Sequence, residues 1–131
     1  MPDLEGIIQA VKDLVAKSEN IVFFGGAGVS TASGIPDFRS ATGLYNQRTG
    51  NQYPPETMLS YSFFRARPQE FFDYHLNNLV ARDAKPNPAH FALARLEQQG
   101  KLSAIITQNI DGLHQLAGSK RVIELHGNTF R

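Results

Sequence analysis

The sequence predicts an α/β fold in which a parallel sheet carries helices on its faces. Short, largely apolar runs at residues 21–24, 102–107 and 122–125 have the length of strands buried on both faces of a sheet. Stretches with helical spacing of apolar residues lie between them, and alternating strands and helices join into parallel sheets through right-handed crossovers. In such sheets ligands bind beyond the carboxyl ends of the strands, so the polar residues after each run are the candidates for function.

Each element has a local cause. Leu4, Ile7, Ile8, Val11, Leu14 and Val15 recur at helical spacing behind Asp3, a suitable N-cap, so the chain opens with an amphipathic helix. The first strand follows at residues 21–24. Gly25, Gly26 and Gly28 come next; such glycines allow positive φ and let backbone N–H groups approach a pyrophosphate. A helix expected to begin near Val29 would point its positive end at that anion. The spacing matches the dinucleotide fingerprint only loosely, and on this run alone a plain structural turn and a nucleotide site stay equally open. Residues 34–55 hold few apolar side chains and many turn formers, a length of irregular chain that usually serves function and is expected to be mobile without ligand.

Pro68 starts a further helix whose Phe71, Phe72, His75, Leu76, Leu79 and Val80 share a face, and whose end is expected near Arg82. Asn87 and Pro88 form an N-cap and first-turn pair for the next helix, which carries Phe91, Ala94 and Leu96 and closes at Gly100. The second strand is Leu102–Thr107, a short helical segment occupies residues 113–117, and the third strand is residues 122–125.

At 131 residues the chain fits one small domain. The net charge is +1 and the basic residues are dispersed, so nothing marks a nucleic-acid surface. Without cysteine the chain forms neither a disulfide nor a cysteine zinc site. The first six residues carry two acids and no apolar run, unlike a signal peptide, and no segment reaches membrane-spanning length. A cytoplasmic protein without membrane partners is the expectation.

Three polar sets follow the three strands: the glycine turn, then Thr107 to Asp111, then His126 and Gly127. In extended chain Asn109 and Asp111 point to one face, where an amide beside a carboxylate suits hydroxyls and a carboxamide. Equally, Asp111 could cap the segment after Gly112 while Asn109 satisfies loop backbone. An imidazole at a strand end, His126, suits a general base, or else a structural role. His75 falls on an apolar helix face and reads as packing; His90 and His114 are expected to be helical and partly exposed. No histidine pair has metal-ligand spacing, and Ser30 or Ser33 lacks a partner base for nucleophilic work. The aromatic group Phe63, Phe64, Phe71, Phe72 and Tyr74 reads as core rather than as a base-stacking platform.

Taken together, the three sets resemble one family, the sirtuins, which are NAD-dependent protein deacylases related to Sir2. Residues 26–39 match the signature G-A-G-x-S-x-x-x-G-I-P-D-F-R without departure, residues 107–111 match T-Q-N-x-D, and residues 126–127 match H-G. Residues 53–59, 84–90 and 112–120 are also similar to bacterial sirtuins, so the resemblance covers nearly the whole chain.

The resemblance implies a Rossmann-like sheet, here incomplete, with flanking helices and a long cofactor-binding loop that orders on NAD. It assigns Gly26, Ala27, Gly28, Ser30, Asp37 and Arg39 to the cofactor site, with Ala27, Gly28, Asp37 and Arg39 on phosphates and ribose. Phe38 would shield the reacting sugar carbon once nicotinamide leaves. Ile35, Asn109, Ile110 and Asp111 would form the nicotinamide pocket, with Asp111 on the carboxamide, and Gln108 would bond the adjacent ribose. Asn109 and His126 are the implied catalytic residues, His126 as general base. The implied reaction takes an acyl-lysine protein or peptide: the acyl oxygen displaces nicotinamide from the ribose, a ribose hydroxyl aided by His126 takes the acyl group, and free lysine and O-acyl-ADP-ribose result. Phe72 and His75 stand where the subgroup that removes succinyl or malonyl groups has a Tyr-x-x-Arg pair, so acetyl or another uncharged acyl group is favoured.

The family's chain continues past His126 through a four-cysteine zinc module and then completes the sheet. This 131-residue chain is therefore expected to be the N-terminal portion of such a catalytic domain, with zinc only in the missing part. Alone it is expected to bind NAD weakly, to turn over little, and to self-associate through its open sheet edge and apolar face. The alternatives are a mono-ADP-ribosyltransferase and a non-catalytic nucleotide-binding or assembly module.

Overall fold

The computed structural model describes residues 3–48 and 50–130. The chain opens with α1 (Leu4–Lys17), capped as expected by the Asp3 carboxylate, which accepts the Glu5 N–H at 3.2 Å. Three parallel strands follow in spatial order β1 (Ile21–Gly25), β2 (Leu102–Thr107) and β3 (Val122–Glu124). The third ends one residue earlier than its apolar run implied. Register places Phe23 beside Ile105 and Ile105 beside Val122, so these three share a face. On that face pack α5 (Pro88–Gln98) and α6 (Leu113–Leu116), burying Ile105 completely.

The opposite face corrects the expectation of strands buried on both sides. Val22, Phe24 and Ile123 are 54%, 61% and 50% exposed, because no described element covers them. The apolar stripe of α1 is likewise open: Leu4, Ile7, Ile8, Val11 and Leu14 all face solvent. A cation helps to tie α1 down. Lys101, just before β2, donates from Nζ to the carbonyls of Val15, Ala16 and Ser18 at 3.1, 2.7 and 3.2 Å, satisfying the end of the helix where positive charge is favoured.

The long crossover from β1 to β2 holds two elements that periodicity did not reveal. They are α2 (Pro55–Met58), with proline in its first turn, and α3 (Tyr61–Ala66), capped by Ser60, whose hydroxyl accepts the Phe63 N–H at 3.2 Å. With α4 (Pro68–Asn78) they enclose a small core of Met58, Phe63 and Tyr74, flanked by Tyr53, Leu59, Phe71 and Leu79. α4 stops at Asn78 rather than near Arg82, where the Asn78 side chain turns back to donate to the Tyr74 carbonyl at 2.8 Å. Its buried stripe also differs from the expected one. Tyr74 is 4% exposed, whereas Phe72 and Leu76 point outward at 49% and 54%.

Candidate active site

The sheet ladder continues past the strand ends and brings the three polar sets side by side. The Gln108 N–H donates to the Gly25 carbonyl at 3.0 Å, and the Leu125 N–H to the Thr107 carbonyl at 3.0 Å. Between them opens a hollow of about 670 Å³ lined by Ala27, Ser30, Ile35, Asp37, Phe38, Arg39, Gln108, Asn109, Ile110, Asp111 and His126. Gly26 and Gly28 lie in the turn beside it without lining it.

The turn works differently from the expectation. Residues Ala27–Ser33 form a 3-10 helix that starts before Val29, and none of Gly25, Gly26 or Gly28 has positive φ. Gly26 is extended at φ −131° and ψ −157°, and a β-carbon there would sit 3.2 Å from Gln108 Oε1, the mobile end of a side chain. Over Gly28 an added β-carbon meets nothing within 4 Å, which leaves the turn open to a large ligand. The glycine in the left-handed region is Gly34, at φ 84°, where it ends the 3-10 helix.

Ser30, fully buried, is the hub of the site. Its hydroxyl donates to Asp111 Oδ2 at 2.7 Å and accepts from Asn109 Nδ2 at 3.2 Å. His90 Nε2 lies 3.4 Å from the same oxygen. The His90 tautomer follows from its other partner: Nδ1 accepts the Asn87 N–H at 3.1 Å, so in the neutral ring Nε2 carries the proton and donates to Ser30. Asn87 in turn donates from Nδ2 to the Val29 carbonyl at 2.8 Å and to Ser33 Oγ at 3.0 Å, fastening the start of α5 to the 3-10 turn. Asn109 and Asp111 thus do share a face, and the capping alternative holds as well: Asp111 Oδ1 accepts the Leu113 N–H at 2.9 Å at the start of α6.

Two histidines depart from expectation. His90 and His114 are not partly exposed; they are 0% and 1% exposed, with ring centroids 4.9 Å apart. His114 also meets Phe23 edge-on at 5.9 Å, and neither of its nitrogens has a hydrogen-bond partner among the described residues. Burial lowers the pKa of His90, against the opposing pull of Asp111. For His114 burial is again the largest cause, reinforced by His90 and opposed by Asp111. The legible signal for His90 was its place three residues after the Asn87 cap, where its side chain closes a capping box. His75 is half-buried as expected, stacked on Phe71 at 5.9 Å, and burial lowers its pKa.

His126 is exposed at the hollow's rim, with Nδ1 3.0 Å from the Gln108 carbonyl. A carbonyl only accepts, so Nδ1 carries the proton and Nε2 of the neutral ring is left with a free lone pair. The segment after Gly34 closes on itself. Asp37 Oδ1 accepts from the Ser40 N–H at 3.2 Å and from its hydroxyl, and the Leu44 and Tyr45 N–H groups donate to the Asp37 and Phe38 carbonyls at 2.6 and 2.9 Å. Leu44, in a 3-10 turn, plugs the segment into the interior at 3% exposure. Among the described residues no cluster of three histidine, cysteine, aspartate or glutamate side chains could hold a metal, and no helix is long and apolar enough to cross a membrane.

The model of the Sir2 family matches residues 26–131, which include every residue just placed around the hollow. The chain belongs to the Sir2 family. Within it, an NAD-dependent protein deacetylase of Clostridium acetobutylicum is 59% identical over 124 residues, covering 95% of this chain and 51% of that protein. One of Clostridium tetani is 62% identical over 121 residues, covering 92% and 49%. A solved Sir2 enzyme superposes with a TM-score of 0.83 at 46% identity, over 95% of this chain and 48% of that one. A Sir2 variant solved with a deacetylated peptide and 3′-O-acetyl ADP-ribose gives 0.80 at 44% identity, over 92% and 47%. The Sir2-family fold of this chain is therefore the parallel, Rossmann-like one, and the chain spans about half the length of the curated relatives it matches.

Proposed function

We propose that this chain carries the nicotinamide-side half of an NAD-dependent protein lysine deacylase. The observation that supports it most is convergence: Asn109 and Asp111 after β2, His126 after β3, and Asp37, Phe38 and Arg39 after the 3-10 turn all open onto one hollow. The donor set suits NAD. Asp111 is oriented by Ser30 and the Leu113 N–H yet keeps lone pairs for a carboxamide N–H, and Asn109, donating to Ser30, keeps its carbonyl oxygen free. Gln108 and Arg39 would hold ribose and phosphate oxygens, and the open space over Gly28 admits them. NAD, when bound, supplies the ribosyl carbon that takes the acyl oxygen and the hydroxyl that carries the acyl group away.

The residues do the rest. Ile35, Phe38 and Ile110 keep water from the reacting end, where charge develops. His126 Nε2, with its free lone pair, takes the proton of the attacking ribose hydroxyl. The substrate is an acyl-lysine protein or peptide, in line with the family structure described as Sir2 bound to acetylated peptide, at 43% identity and a TM-score of 0.75. At the two positions where the succinyl- and malonyl-removing subgroup has its Tyr-x-x-Arg pair stand Phe72, which faces outward, and His75, which lines the hollow, so that pair is not formed there and acetyl or another uncharged acyl is preferred. The zinc module and the adenosine side of the site belong to sequence outside these residues, and a cytoplasmic protein that couples hydrolase and transferase chemistry completes the reading.

The test is an acetyl-lysine peptide assay on the full-length protein with and without NAD. Deacetylation that needs NAD and falls about 10²- to 10⁴-fold in His126→Ala is expected for a lost general base. Transfer of label from NAD to protein that survives His126→Ala would support mono-ADP-ribosyl transfer instead. NAD binding with neither activity would leave a binding module.

A further inference from the structure

The two limbs of the segment after Gly34, residues 37–39 and 43–45, lie directly against each other. Gly43 shows how closely: a β-carbon there would stand 2.5 Å from Asp37 Oδ1, 2.7 Å from the Phe38 carbonyl carbon and 2.9 Å from the Arg39 nitrogen. Two of those three atoms are backbone, which cannot swing aside. Next along the same limb, the half-buried Tyr45 meets both functional neighbours at once. Its ring is tilted 56° against Phe38 with centroids 5.4 Å apart, and the Arg39 guanidinium carbon lies 5.7 Å from its centroid. Its backbone N–H holds the Phe38 carbonyl at 2.9 Å, and the buried Leu44 beside it anchors the limb.

We propose that Tyr45 is a positioning residue, which seats Phe38 as the water shield and Arg39 as the phosphate-side cation in one geometry. The inference rests on the deacylase reading. Phe38 and Arg39 are adjacent in sequence, and the Tyr45 ring is a side-chain contact that the two share. All these contacts use the ring and the backbone, so phenylalanine at 45 supplies them and alanine does not.

The experiment uses the full-length protein with an acetyl-lysine peptide and compares nicotinamide released with peptide deacetylated. The wild-type ratio is near one. Tyr45→Ala lets water reach the reacting carbon, and the ratio rises about three- to tenfold, the worth of one lost aromatic contact, with a raised KM for NAD. Tyr45→Phe keeps the ratio within about twofold of wild type, on the same reasoning. Gly43→Ala, which displaces the Phe38–Arg39 backbone, gives the same excess by an independent route, and Tyr45→Leu does so should alanine prevent folding. Parallel loss of both products at an unchanged ratio in the alanine, leucine and glycine variants overturns the proposal, as does a phenylalanine variant that behaves like alanine. A wild-type protein without NAD-dependent deacetylation refutes the parent reading by its own control, before any variant is compared.

Discussion

Ser30 accepts and donates at once, and removing its hydroxyl leaves Asp111, Asn109 and His90 each short of a partner inside the protein. Ser30→Ala is therefore expected to cost about 1–3 kcal/mol, the penalty for stranding buried polar groups. It should also weaken inhibition by nicotinamide, and thermal unfolding with an inhibition titration checks both; unchanged inhibition would show that the hub does not serve the pocket. The buried imidazoles set a pH dependence. The pKa values of His75, His90 and His114 are lowered in the folded chain, chiefly by burial, so the unfolded chain binds more protons below the ordinary imidazole value. Their stability contribution is complete above about pH 6.5 and is lost, with a slope to which each ring adds, as pH falls below it. His114→Phe should remove one ring's share of that slope in urea titrations run between neutral and acid pH, and an identical slope would contradict this. At this scale the sequence was readable where a polar residue follows a strand, as with Asn109, Asp111 and His126. It was misleading for His90 and His114, because helical spacing places a side chain on a face but does not say that the face turns inward onto Phe23 and Ser30.

The element that joins fold to site is α5. Its cap, Asn87, serves the helix through Ala89 and the 3-10 turn through Val29 and Ser33. Asn87→Ala should lower stability by about 1–2 kcal/mol as a lost cap, and should raise hydrogen exchange across Ala27–Ser33, which a cap serving only its own helix would leave unchanged. α1, β1, β2 and α5 were legible because each has a strong periodicity or apolar run and a cap or glycine at its end. α2 and α3 were not, since four- and six-residue helices are too short for a period to show. The place of the glycine turn is legible from the strand before it and its conformation is not: none of Gly25, Gly26 and Gly28 has positive φ, and the space over Gly28 is open.

Across the whole molecule, one face of the sheet and the apolar stripe of α1 stand open together. Exposed surface of this kind seeks cover. The 131-residue chain by itself is expected to sediment as concentration-dependent oligomers, and Phe24→Lys, in the middle of the open face, to shift it toward monomer; a monodisperse wild-type monomer would speak against this. NAD-dependent deacylation leaves its signature in the products. Mass spectrometry of the full-length protein's reaction with an acetyl-lysine peptide and NAD should find nicotinamide, free lysine peptide and O-acetyl-ADP-ribose in equal amounts. Free acetate without O-acetyl-ADP-ribose, or ADP-ribose attached to protein in its place, would rule out the deacylase chemistry.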